Sequence, residues 1–206
     1  MALVLHGHPF SSYCQKVVIA FNETNTPFIF AITEGEWGLA ELKRFWAHGL
    51  MPVLRDDGTT VVESSIIIEH VAPQLVPTLE VRFLDRFFDQ YVMTPMQKIV
   101  LDVLRPDGER DARGVADARA RLDISYVWLE GRLSDKQWAA GEDFTMADCA
   151  AAPSLFYADW AHPIPERFPV LRAYRRRLLA RSSVARTVDD ARPYRSYFPL
   201  GAPDRD

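Results

Sequence analysis

The hydrophobic period of this 206-residue chain changes once, near Pro73 and Pro77. Before that point short β-branched and aromatic runs alternate with helical stretches; after it every periodic segment reads as helix. Leu3-Val4-Leu5 is an apolar run that ends at Gly7 and Pro9, a buried strand breaking into a loop. Ser11 or Ser12 then caps a helix through Val17, Val18, Ala20 and Phe21. Pro27 to Ile32 is a second strand, and a short helix around Leu39 to Trp46 is closed by Gly49. Val53-Leu54-Arg55 and Thr60-Val61-Val62 flank Asp56-Asp57-Gly58, the clearest hairpin signal, with Gly58 free to take the positive φ of a tight turn. Ser64 or Ser65 caps a helix through Val71 that stops at Pro73. The predicted order is β-α-β-α-β-β-α over residues 1–73, then a linker at 74–78, then an all-helical unit over 79–206.

In that second unit Phe83, Phe87, Tyr91 and Pro95 open a long helix. Ala112 to Leu133 forms another, with Val115, Leu122, Val127 and Leu129 inward. Thr145 to Trp160 is apolar nearly all round and therefore central. Leu171 to Leu179 and Val184 to Ala191 follow, and the tail from Pro193 is irregular. Tyr91, Tyr157 and Trp160 read as helical core.

Composition narrows the function. The chain is 48% hydrophobic and 25% charged, enough to build a core. Its net charge of −4 gives no electrostatic case for nucleic acid or an anionic membrane. Arg172, Arg175, Arg176, Arg177 and Arg181 share a helical pattern with Leu171, Tyr174 and Leu178 and read as a solvated face. Cys14 and Cys149 are too few for a disulfide framework or a four-cysteine zinc site, and they suit a reducing compartment. His6-Gly7-His8 has a ligand-like spacing, but no further ligands gather near it, so no metal is expected. Met1 to His6 lacks a basic leader region, and no apolar run is long enough to cross a bilayer. The expected location is the cytoplasm.

Three short segments carry chemistry. Ser11-Ser12-Tyr13-Cys14 sits where the first strand hands over to the first helix, whose free N–H groups and dipole suit an anion. Thioredoxin-like redox proteins place Cys-x-x-Cys at such a junction. Here the attacking position holds a hydroxyl, which cannot exchange disulfides but can hydrogen-bond a thiolate brought in by another molecule. A plain N-cap serine is the alternative reading. Met51-Pro52 opens the third strand, where proline's missing N–H is tolerated; a cis bond would turn the Met51 N–H and C=O toward a cleft. Glu63-Ser64 lies where the hairpin meets the next helix. The serine hydroxyl and helix N–H groups would hold a carboxylate and the glutamate an ammonium, together an α-amino-acid end.

In this order and spacing the segments resemble the cytosolic glutathione transferases, as a bacterial member with a serine-type site. The resemblance continues through Val81 to Asp89 and Val92 to Val100, and through Gly141 to Asp148, where Thr145 and Asp148 form the family's buried capping box. It implies a thioredoxin-like glutathione-binding domain followed by an all-helical domain. It also implies that Ser11 is the catalytic hydroxyl and that Ser12, Met51, Pro52, Glu63 and Ser64 contact glutathione. The co-substrate would be glutathione, the second substrate a small hydrophobic electrophile, and the assembly a homodimer. The segment Trp46 to Leu50 departs from the family in lacking its Asn-Pro and basic residue. The alternative is a non-catalytic binding or regulatory member. Disulfide reduction is disfavoured by Ser11 in place of a thiol, and a zeta-type isomerase by Tyr13 in place of cysteine.

Overall fold

The computed structural model describes residues 3–206; Met1 and Ala2, part of the segment read above as lacking a leader, lie outside them. Strands β1 (Leu3–Gly7), β2 (Phe28–Ile32), β3 (Val53–Asp56) and β4 (Thr59–Val62) form one mixed sheet in the order β2-β1-β3-β4. β1 and β2 are parallel, so the chain must cross over between them, and α1 (Ser12–Glu23) makes the crossing. β3 runs antiparallel to both β1 and β4, with Leu54 opposite Leu5. The hairpin turn is two residues, Asp57 and Gly58, both at positive φ (44° and 86°), the geometry that matches strand twist. Asp56, read as part of the turn, instead pairs with Thr59 as the last rung of the ladder.

Helix α2 (Gly35–Phe45) begins a turn earlier than expected. Its opening residues include Glu36 and the exposed Trp37, so that turn carries no apolar period to read. Helix α3 (Ser64–Val71) gives way to a 3-10 turn at Pro73–Leu75. Thr78 then accepts the Val81 N–H to start α4 (Leu79–Phe87).

The long helix expected next is interrupted. A π-helical turn, Phe88–Met93, joins α4 to α5 (Thr94–Asp102). Pro95 has no N–H to offer the Tyr91 carbonyl, and the Ser125 hydroxyl donates to that oxygen instead, at 2.8 Å. Ser125 lies on α6 (Ala112–Arg132), whose buried stripe is Ala118, Leu122, Ser125, Tyr126 and Leu129. Val127, expected to point inward, falls off that stripe and is 61% exposed, and Tyr91 is likewise exposed rather than core.

Helix α7 (Met146–Ala161) is buried at every residue and packs against both α1 and α4. Its small side chains at 147, 150, 151, 152 and 158 let neighbouring helices approach closely. Thr145 and Asp148 form the capping box. The Asp148 carboxylate accepts from the Thr145 N–H (2.9 Å), the Ala139 N–H (2.8 Å) and the Tyr174 hydroxyl (2.7 Å). Helices α8 (Pro169–Ala180) and α9 (Ser182–Ala191) complete the bundle, followed by a 3-10 turn at Arg192–Tyr197.

The arginines of α8 and of its C-terminal cap are not a uniformly solvated face. Arg175 is 8% exposed and pairs with Asp159 at 3.4 Å. Arg181 makes a two-pronged bond to Glu23 at the end of α1, both arms 2.6 Å. Their acidic partners lie in other elements, so the local pattern could not reveal them. No helix among the described residues is long and apolar enough to cross a membrane.

Candidate active site

Ser11 occupies the cap position of α1 in extended backbone, and its side chain makes no capping bond. The hydroxyl is spared from the role that explains most serines at helix starts. The loop before it is fastened from several sides. Ser11 N–H donates to the His8 carbonyl at 3.0 Å, and Phe10 N–H donates to His8 Nδ1 at 3.1 Å. Tyr157 of α7 donates its hydroxyl hydrogen to the Phe10 carbonyl at 3.0 Å. Gln15 Nε2 donates to both the Pro9 carbonyl (2.9 Å) and the Tyr157 oxygen (3.0 Å). The helical domain thus helps to fix where Ser11 stands.

Cys14, one helical turn on, is fully buried. Burial pushes its thiol up to about 11, against the Ser11 hydroxyl and the His8 backbone, which favour the thiolate. It is therefore a protonated packing residue at neutral pH. Burial likewise pushes the Tyr13 phenol up to about 12, with the Asp89 charge adding to it, so Tyr13 remains a neutral hydroxyl.

A cleft of about 660 Å³ opens beside this helix start, large enough for a small-molecule ligand. Ser11, Met51, Pro52, Glu63 and Ser64 all line it, with Tyr13, Trp46 and Leu50. Ser12 does not line it; as the first residue of α1 it is buried. The Met51–Pro52 bond is cis. Glu63, rather than either serine, holds the cap position of α3, with φ 71° and ψ 120°. A non-glycine residue rarely adopts that backbone. Ser64 is the first residue of α3, buried, and its hydroxyl has no hydrogen-bond partner among the described residues.

The opposite wall comes from the helical domain and was not foreseen: Arg86, Asp89, Gln90, Thr94, Gln97 and Leu101. A repeat of polar residues along one helix face is the signal that was available. Burial pushes the Asp89 carboxyl above its ordinary range, opposed by the Lys16 charge. Trp160 stays in the core and Tyr157 reaches the site only through the Phe10 carbonyl. His6 and His8 have separate surroundings. His6 packs on Phe45 with Glu41 at 3.9 Å, while His8 meets Glu34 at 2.7 Å and stacks near Tyr197.

Comparison with known proteins agrees with this geometry. The sequence matches the family model for the glutathione S-transferase N-terminal domain over residues 5–75 and that for the C-terminal domain over residues 111–177. It is 24% identical over 170 residues to glutathione S-transferase GstB of Escherichia coli (strain K12), spanning 75% of this chain and 82% of that one. The fold is similar to a glutathione S-transferase from Methylobacterium radiotolerans in complex with glutathione sulfonate. That likeness has 28% identity and a TM-score of 0.79, over 91% of this chain and 95% of the other. It is also similar to one from Methylobacillus flagellatus with GSH bound, at 22% identity and a TM-score of 0.81, over 90% and 98%.

Proposed function

This chain belongs to the glutathione S-transferase family, and on that premise we propose that it binds glutathione in the interdomain cleft, activates its thiol and conjugates it to a small hydrophobic electrophile. The observation that carries the reading is the meeting in one cleft of a helix-start serine free of capping duty with Met51, Glu63 and Ser64.

In this reading Ser64 and the free N–H groups of α3 take the γ-glutamyl carboxylate, and Glu63 takes its ammonium. The Met51 backbone meets the cysteinyl part, as the family resemblance implies. The sulfur then reaches Ser11 at the positive end of α1. The Ser11 hydroxyl donates a hydrogen bond that favours thiolate over thiol, and the sulfur's proton leaves to water at the cleft mouth. The sulfur lone pair forms the new S–C bond, while the electron pair of the bond it breaks departs with the leaving group or moves into the electrophile. Leu50 and Leu101, both exposed, give the cleft apolar surface for that second substrate.

The limits 1–73 and 79–206, joined by 74–78, are the proposed domains. Phe87 packs on Trp128 with ring centroids 4.3 Å apart, and the exposed Phe83, Ile124 and Val127 extend this apolar face across α4 and α6. A second copy covering that face would make the homodimer. Two buried free cysteines fit a cytoplasmic location.

The test is thiol consumption against a panel of electrophiles with glutathione supplied or omitted. Glutathione-dependent turnover of at least one electrophile is expected. Glutathione binding with no turnover across the panel would favour a binding or regulatory protein instead.

A further inference from the structure

Lys16 is 1% exposed and sits on α1, yet its charge is balanced by the other domain. Its Nζ donates to Asp89 Oδ2 at 2.8 Å and to Ser65 Oγ at 2.9 Å, and forms an ion pair with Asp85 Oδ1 at 2.5 Å. Ser65 Oγ in turn donates to Asp85 Oδ2 at 2.8 Å. One ammonium therefore ties together the helix headed by Ser11, the residue after Ser64, and the first helix of the helical domain. A charge this deep is tolerated only where its partners are held in place, so α4 and the π turn sit at a fixed height against α1 and α3.

Two cleft residues hang from this network. Arg86 donates through Nε (3.1 Å) and Nη2 (2.8 Å) to Asp85 Oδ2, and through Nη2 to Asp89 Oδ2 at 3.1 Å and to Ser65 Oγ. Among the described residues Arg86 Nη1 and Asp89 Oδ1 have no hydrogen-bond partner, although both residues line the cleft beside Glu63 and Ser64. Lys16 and Arg86 balance Asp85 and Asp89, which leaves Glu63 as the surplus charge. An unused guanidinium arm and an unused carboxylate oxygen, flanked by a hydroxyl and a second carboxylate, are complementary to a zwitterion.

Resting on the reading of this cleft as the glutathione site, we propose that Arg86 and Asp89 are binding residues for the α-amino-acid end of glutathione and that Lys16 is the positioning residue that sets them. Arg86 Nη1 donates to the γ-glutamyl carboxylate together with the Ser64 hydroxyl. Asp89 Oδ1 accepts from the ammonium together with Glu63. The amino-acid end is thereby clamped between the two domains.

The experiment is calorimetric titration with three ligands: glutathione, glutaryl-Cys-Gly, which lacks the ammonium, and 4-aminobutanoyl-Cys-Gly, which lacks the α-carboxylate. Asp89→Asn should weaken glutathione about ten-fold and glutaryl-Cys-Gly less than about two-fold. Arg86→Gln should weaken glutathione by a similar factor and leave 4-aminobutanoyl-Cys-Gly nearly unchanged. Lys16→Met should shrink the preference of the protein for glutathione over both analogues and raise the glutathione KM more than it lowers kcat. Ser65→Ala removes the hydroxyl that Lys16 and Arg86 share, without stranding a charge, and should produce the same pattern in smaller measure. Equal losses for glutathione and the matching analogue, or no loss, would overturn the assignment. Absence of glutathione binding by the unsubstituted protein would overturn the functional reading and this assignment with it.

Discussion

Lys16 Nζ lies 2.5 Å from Asp85 Oδ1, a buried ion pair whose cation belongs to the thioredoxin-like domain and whose carboxylate belongs to the helical one. Both side chains are at most 2% exposed, so neither can turn to water if the other is removed. Lys16→Met should cost about 3–5 kcal/mol, because it leaves two buried carboxylates short of a partner. The double variant Lys16→Met/Asp85→Leu should recover at least about half of that, since Asp89 keeps Arg86. Urea unfolding of the three proteins decides the matter, and a double variant no better than Lys16→Met would count against the pairing.

A second interdomain pair predicts a pH response. Burial pushes the Glu23 carboxyl up, but hydrogen bonds from Arg181 and Ser183 outweigh it, and the group lies below its ordinary value. The folded state therefore binds fewer protons than the unfolded chain. The resulting stability is complete above the ordinary value of 4.5 and is lost as pH falls through the lower folded one. Glu23→Gln should be less stable by about 1–2 kcal/mol at neutral pH, with the gap closing below about pH 4. Melting temperatures of both proteins across that range provide the measurement; a gap that stays constant would contradict the assignment.

What the sequence disclosed follows from which forces are local. The hairpin was readable because Asp57 and Gly58 carry their own turn chemistry, and the capping box because Thr145 and Asp148 are three residues apart. Five residues of the cleft's first wall were legible by resemblance, since Ser11, Met51, Pro52, Glu63 and Ser64 each lie at or just before the start of an element. Ser64 was misplaced by one position, because a serine is a good cap by propensity while the backbone gives that place to Glu63 at φ 71°. Arg175 looked like a surface charge, and nothing near Lys16 in the sequence marks it as buried, since the aspartates that pair with them come from distant elements. The π turn was invisible for a related reason. Pro95 announces a missing N–H, but the Ser125 hydroxyl that answers the Tyr91 carbonyl is thirty-four positions away.

Gly7 gives a packing prediction at the end of β1. A Cβ at this position would stand 2.4 Å from Cys14 Sγ, a contact no structure tolerates without movement. Gly7→Ala should therefore destabilise by about 1–3 kcal/mol through overpacking. Adding Cys14→Ala should return part of that loss, a coupling that independent sites would not show. Strict additivity in denaturant unfolding would mean that the backbone relaxes around the new methyl group instead.

In the proposed site Glu63 would trade stability for its carboxylate. Its φ of 71° is strained for any residue with a Cβ and comfortable for glycine. Glu63→Gly should stabilise the fold by about 1 kcal/mol while weakening glutathione binding about ten-fold through loss of a charge-assisted bond. Thermal unfolding without ligand and calorimetry with it report the two effects separately. A variant that loses stability, or that keeps its affinity, would break the proposed trade.

In the proposed reaction the Ser11 hydroxyl shifts the thiol of bound glutathione toward thiolate, and ultraviolet thiolate absorbance of the complex against pH reads that shift directly. In the unsubstituted protein the bound thiol should titrate about one to two units below the free value of about 8.5. In Ser11→Ala its pKa should rise by about one unit, equivalent to about 1.4 kcal/mol of lost thiolate stabilisation. Superimposable titration curves for the two proteins, with glutathione shown to be bound in both, would mean that the Ser11 hydroxyl does not set the thiol's protonation.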